Sequence, residues 1–309
     1  MMNEDAASDG VVMQYNIYDP YQYPWMSFNF FLLFWLAGLL SYSLHLRLSP
    51  KFRQDLDESK RRNVVIYILQ GLATTVALGF QLYGSVDLLF WGKDTTTPDR
   101  IHACLMAWII VCILYIWELL YRIEIGIPLL LHHIVTIILI QVGYSSFFDT
   151  ANLSYFRYGL LLTFHATTEQ FTFVALYCYR MGLMSHLHKA FFLLAAVQAA
   201  FFKALVTVAL VVYFALGIMQ GVFHGSWGMF WKVCFPPLLL VLYIVQLYSA
   251  YTLAIIGRRC GKPRKEQEPE EDKPSLPLED DVESQQSQEQ VGGDDGHDNP
   301  GQESNDEHA

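Results

Sequence analysis

Apolar and polar positions fall into blocks along this chain. Apolar stretches of about eighteen residues or more recur at 25–46, 64–91, 101–120, 126–143, 153–178, 189–216 and 230–257, and polar or turn-forming residues separate them. A bilayer core takes about 20 helical residues to cross, so this pattern predicts seven transmembrane helices and an all-α polytopic fold. Local chemistry supports several boundaries. Pro128 stands where a helix tolerates proline in its first turn. Pro236 and Pro237 near the start of the seventh block predict a kink or freed carbonyls there.

Composition agrees, at 53% hydrophobic and 15% aromatic. The net charge of −10 hides a division. Residues 266–309 hold sixteen acids against Lys273 alone, and residues 1–265 hold nineteen basic residues against fourteen acids. The final stretch is too poor in apolar side chains to offset the entropy of ordering, which predicts a disordered acidic tail. The domain plan is therefore a non-cytosolic segment at 1–24, an anchor with a basic cytosolic loop at 25–59, a membrane domain at 60–257, and a basic juxtamembrane stretch with the tail at 258–309. The acidic first residues cannot serve as the charged region of a cleavable signal, so the first span is expected to remain as an anchor.

Orientation follows from the short loops. With the loop at 47–63 in the cytosol, that side collects fourteen Lys and Arg, against Lys93, Arg100 and Lys232 on the other. This predicts a lumenal N-terminus and a cytosolic C-terminus. The five cysteines form no CxxC pair, which argues against a disulfide scaffold or zinc knuckle.

Candidate chemistry lies between Trp117 and Arg180. The fourth block carries His132, His133 and Thr136, and the fifth carries His165, Thr167, Thr168 and Glu169. Ionisable groups at membrane depth cost on the order of 3 kcal/mol, so they persist mainly where they line a cavity or pair with each other. Helical rise puts His132 and His133 roughly 10 Å below the cytosolic face, Glu169 roughly 13 Å, and His165 and Lys203 about 20 Å, which lets them converge. His165 and Glu169, at i and i+4, are expected to share a helix face. The neighbouring histidines diverge by about 100° around the helix and cannot both address one atom. Which of them faces a substrate stays open, with Thr136 one turn away as a hydrogen-bond acceptor. A carboxylate beside an imidazole suits a general base or a nucleophile. Glu118 and Arg122 read as an interfacial salt bridge, and Gln198 as a packing group. The chain contains no HxxH, HExxH or HxxHH spacing, so no metal site is expected.

The run His132-His133-Ile134-Val135-Thr136, preceded by Trp117–Arg122 and followed by His165 and Glu169, resembles the TLC-domain family over roughly residues 60–257. In ceramide synthases of that family the pair is followed by His-Asp-x-x-Asp. This chain has His165-Ala166-Thr167-Thr168-Glu169, which keeps the second acid as Glu169 and puts Ala166 in place of the first. The resemblance implies a TLC-type bundle enclosing a lipid-binding cavity, an endoplasmic-reticulum location and a role in sphingolipid or ceramide metabolism.

Two classes of function follow. One is an N-acyltransferase with no bound cofactor, which takes fatty acyl-CoA as cosubstrate and a sphingoid base as acceptor. His132, His133, His165 and Glu169 would be its catalytic groups, with Thr136, Thr168 and Lys203 in contact with substrate. The other is a non-enzymatic protein that binds or senses membrane lipid or escorts cargo, using the acidic tail to contact a protein partner. No nucleic-acid partner is expected. A fatty-acid elongase is disfavoured because its HxxHH box is absent.

Overall fold

The computed structural model describes residues 22–90, 97–150, 152–223 and 225–260. The N-terminal segment up to residue 21, the turn at 91–96 and the acidic tail lie outside the described residues. The described chain is helical, with no strand. It runs α1 Gln22–Leu48, α2 Pro50–Gln54, α3 Glu58–Phe90, α4 Pro98–Tyr121, α5 Ile127–Thr150, α6 Leu153–Thr167, α7 Gln170–Met181, a 3-10 turn Ser185–Leu187, α8 His188–Met219, α9 Gly225–Met229, a π-helical turn Phe230–Cys234, and α10 Phe235–Cys260. The described residues all fall within one compact unit.

Six helices among the described residues are long and apolar enough to cross a bilayer: α1, α3, α4, α5, and α8 and α10 with the short turns that precede them. That number makes the body of the chain a multi-pass membrane bundle. The fifth apolar block, expected as one helix over 153–178, is instead two, of 15 and 12 residues. Neither piece alone reaches the roughly 20 residues a crossing needs.

Burial shows which helix is central. In the most apolar stretch of α4, 67% of residues are buried, against 11% for α1. Leu, Ile, Val and Phe side chains cover the outer faces of α1, α8 and α10, as expected where lipid is the solvent. Helix α5 meets α6 almost backbone to backbone. A Cβ on Gly143 would lie 2.8 Å from Gly159 Cα, so only glycine permits this crossing. The contact fixes how the histidines of α5 stand relative to His165 on α6.

Local sequence explains both irregular places in the bundle. Pro236 and Pro237 occupy the first turn of α10 and have no amide proton to donate. The chain enters that turn through the π-helical Phe230–Cys234, with Phe235 N donating to the carbonyl of Phe230. Between α6 and α7 the backbone leaves the helix at Thr168 (φ −106°, ψ 49°) and Glu169 (φ −130°, ψ 19°) with no proline or glycine there. Side chains take up the groups the break sets free. Thr167 Oγ1 donates to Gln81 Oε1 of α3 at 2.5 Å, Thr168 Oγ1 donates to Phe164 O at 2.9 Å, and Gln170 Nε2 donates to Thr167 O. On the other side, Phe171 N donates to Gln198 Oε1 of α8 at 3.0 Å. A hydroxyl that bonds back to its own helix, as that of Thr168 does, competes with the helical ladder.

The two ends of the core differ. Tyr155, Tyr158, Phe223, Trp231 and Phe235 stack together at the start of α6 and α10. Trp231 Nε1 donates to Ser146 Oγ at 3.0 Å and Tyr158 OH to Tyr213 O at 2.8 Å. The opposite half holds the buried ionisable groups.

Candidate functional site

Two buried polar clusters meet across the histidine pair. The first is built on α4. Glu118 is fully buried, and its Oε1 lies 2.7 Å from Arg122 Nη2, one turn along the same helix. Its Oε2 lies 3.0 Å from His133 Nε2 on α5 and accepts a hydrogen bond from Gln70 Nε2 on α3. Arg122 Nη1 donates onward to Asn63 Oδ1 at 2.9 Å. Glu118 and Arg122, expected as an interfacial pair, are therefore buried and linked to the histidines. Both oxygens of this carboxylate are thus met by donors, a guanidinium on one and an imidazole and an amide on the other.

The second cluster draws on the helix break and α8. Lys203 Nζ stands 2.7 Å from Glu169 Oε1, and both side chains are largely buried. His165, fully buried, is 3.0 Å through Nε2 from Thr207 Oγ1 on α8. The expected His165–Glu169 dyad does not form as drawn, because the break at Thr168 and Glu169 removes the helical turn that would have aligned the two side chains. The carboxylate turns to Lys203 instead. Thr168 spends its hydroxyl on the carbonyl of Phe164. Thr136 Oγ1, expected to accept from a histidine one turn away, is buried with no hydrogen-bond partner.

The histidine pair spans the two clusters. The ring centroids of His132 and His133 are 5.3 Å apart, and Tyr115 of α4 packs on both, at 5.9 Å and 4.2 Å. The structure separates their surroundings. His133 is held by Glu118, whereas His132 keeps its Nδ1 buried without a partner. The held ring has a fixed orientation, and the free one retains a lone pair or proton for another molecule.

Glu118, Gln70, Thr207 and Gln246 enter this region without having been singled out from sequence as site residues. Glu118 had a signal, since a carboxylate at the end of an apolar block beside two histidines can reach them if the loop between α4 and α5 is short. The glutamines and Thr207 gave none, because a single amide or hydroxyl in an apolar helix most often serves packing. Among the described residues no group of three His, Cys, Asp or Glu side chains is arranged to hold a metal. Comparison with known protein families, characterised proteins and solved structures finds no match to this chain.

Proposed function

We propose that this chain is a TLC-type membrane protein of lipid metabolism, and that its polar core transfers an acyl group from fatty acyl-CoA to the amine of a sphingoid base. In this reading α6 and α7 together make a seventh crossing. The N-terminus is lumenal, the C-terminus is cytosolic, and the protein resides in the endoplasmic reticulum. The bundle holds the acyl chain in a cavity beside the histidines.

One observation carries the reading: a buried imidazole with an unpartnered nitrogen, His132, sits between a carboxylate-held neighbour and an ion pair. The chemistry needs a base for the attacking amine. His132 takes the amine proton as nitrogen bonds to the thioester carbonyl carbon. The carbon–sulfur bond then breaks, and the thiolate of CoA leaves and is protonated by the imidazolium. Lys203 offers an N–H donor to the oxygen that gains negative charge in the tetrahedral intermediate. Glu118 fixes the orientation of His133 against it, and Tyr115 walls the pair.

The test is N-acylation by the purified chain in lipid, supplied with labelled long-chain acyl-CoA and sphinganine. His132→Ala should lose nearly all product, and His133→Ala should retain a measurable fraction. Undiminished product from His132→Ala contradicts the assignment.

A second reading has its own observation. Glu118 and Glu169 each have a counter-ion inside the bundle, and Ala166 stands where active ceramide synthases carry an acid. A chain with those features suits a non-enzymatic protein that binds or senses membrane lipid, or escorts cargo. Saturable lipid binding without product across a panel of acyl chains and amines would favour it.

A further inference from the structure

Helix α7 has an irregular backbone at each end. At its start, Thr168 and Glu169 leave the helical region. At its end, Gly182 is left-handed at φ 64°, and Met184 follows at φ 53°, the one non-glycine with positive φ among the described residues. The 12 residues between form a short rigid piece, about 18 Å long, with a place to turn at either end. Its two walls differ. Toward α8 the contacts are polar: Phe171 N donates to Gln198 Oε1 at 3.0 Å, Gln198 Nε2 donates to Gln170 Oε1 at 3.3 Å, and Glu169 Oε1 lies 2.7 Å from Lys203 Nζ. Toward α3 the helix rests on a glycine, where a Cβ on Gly71 would lie 3.6 Å from Phe173 Cβ, and Phe173 is buried. Parting α7 from α8 would strand an amide and two ionisable groups away from water, which is costly in lipid. Parting the apolar contact with α3 only replaces side chains by lipid tails that are as apolar. The seam with α3 is the one that opens at low cost.

We propose that α7 is a hinged gate, and that a long-chain lipid passes from the bilayer to the polar core between α3 and α7, at Gly71 and Phe173. Each wall of this seam carries one of the two polar clusters. On α3, Gln70 stands beside Gly71 and donates to Glu118 Oε2, the oxygen that also lies 3.0 Å from His133 Nε2. On α7, Phe173 N donates to Glu169 O at 3.3 Å, so the seam is one helical turn from the residue that pairs with Lys203. Leu72 of α3 and Phe171 and Val174 of α7 are exposed on the outer side, and their apolar side chains suit an alkyl chain. The inference rests on the reading of this core as a lipid site and adds the route by which the membrane-borne acceptor reaches it.

The experiment locks the gate. A Cβ separation of 3.6 Å lies in the range of about 3.5–4.5 Å that a disulfide takes, so Gly71→Cys with Phe173→Cys can be closed by an oxidant and reopened by a reductant. The full chain in phosphatidylcholine nanodiscs is given sphinganine carrying a mid-chain diazirine and irradiated, and adducts are mapped to residues by mass spectrometry. Adducts on the buried Tyr115, His133 or Thr136 are expected in wild type and in the reduced double variant, with loss of them in the oxidised one. Adducts on the lipid-facing Val197 should not change. The single variants, treated alike, control for the five native cysteines. Phe173→Ala, which clears the seam, should raise the buried adducts, and every variant is checked by melting. Failure of the disulfide to form in a folded double variant, equal buried adducts with the lock open and closed, or no rise in folded Phe173→Ala would each overturn the gate and leave the lipid site standing. Absence of buried adducts in wild type would remove the lipid reading of the core and the gate with it. Buried adducts that the lock abolishes, without N-acyl product, would retire the acyltransferase reading and keep the gate.

Discussion

Lys203 on α8 and Glu169 at the break between α6 and α7 face each other at 2.7 Å in the buried half of the bundle. This pair holds the broken segment against a neighbouring crossing. Removing one partner leaves the other charged and buried, and such changes cost about 3–5 kcal/mol. Lys203→Met or Glu169→Gln alone should therefore lower thermal stability in detergent sharply. The double variant should recover much of the loss, because no lone charge remains. Independent, additive losses would mean the two do not act as a pair.

Glu118 and His133 should be coupled in the same way. A double-mutant cycle on Glu118→Gln and His133→Phe, read by unfolding, is expected to give an interaction energy of about 1–3 kcal/mol, the range for contacting groups in one network. The same cycle between Glu118 and Thr207, which share no partner, should give a value near zero.

The opening of the fifth apolar block depends on Gln198. Its side-chain oxygen accepts from Phe171 N at 3.0 Å, at the free end of α7. Gln198→Leu leaves that amide with no partner, at a cost of about 1–3 kcal/mol if no water reaches it. Amide hydrogen exchange should rise at residues 168–172 and stay unchanged in α4.

Two glycines make a matched comparison for packing. A Cβ on Gly143 would press against Gly159 Cα at 2.8 Å, whereas one on Gly79 would meet nothing within 4 Å. Gly143→Ala should destabilise by about 1–3 kcal/mol as α5 and α6 are pushed apart. Gly79→Ala should be neutral or stabilising by up to about 1 kcal/mol through helix propensity. Loss of stability at Gly79 of similar size would show that helix packing does not explain the difference.

The apolar blocks made the helical nature of the fold legible, because each crossing must satisfy its own backbone and so needs a long continuous run of apolar residues. Depth counted along the helices puts Lys203 level with His165 and about 7 Å from the level of Glu169, a gap the Lys203–Glu169 contact closes. What the pattern hid was the break. Periodicity treats 153–178 as one helix, and no proline or glycine marks Thr168. The break is accompanied by a Thr168 hydroxyl that bonds back to its own turn and by Gln198 from another helix, and a partner distant in sequence gives no local signal. That break is why His165 and Glu169, aligned on an ideal helix, have separate partners in the folded chain. Glu118 was misjudged for a related reason. Its i,i+4 partner Arg122 is visible in the sequence and suggests a surface pair, while Gln70 and His133, which complete its burial, come from other helices.

The central claim is that His132 is the reacting group of a lipid N-acyltransferase, and single-turnover N-acylation tests it most directly. The wild-type chain and the His132→Ala, His133→Ala and Glu118→Gln variants are reconstituted in lipid with labelled acyl-CoA and sphinganine, and their folding is checked by melting. The expected result is product from wild type, a loss on the order of 100-fold or more in His132→Ala, the scale of a removed general base, and smaller losses in the other two. Wild-type product in folded His132→Ala, or no product from folded wild type with any acyl chain or amine, would contradict it.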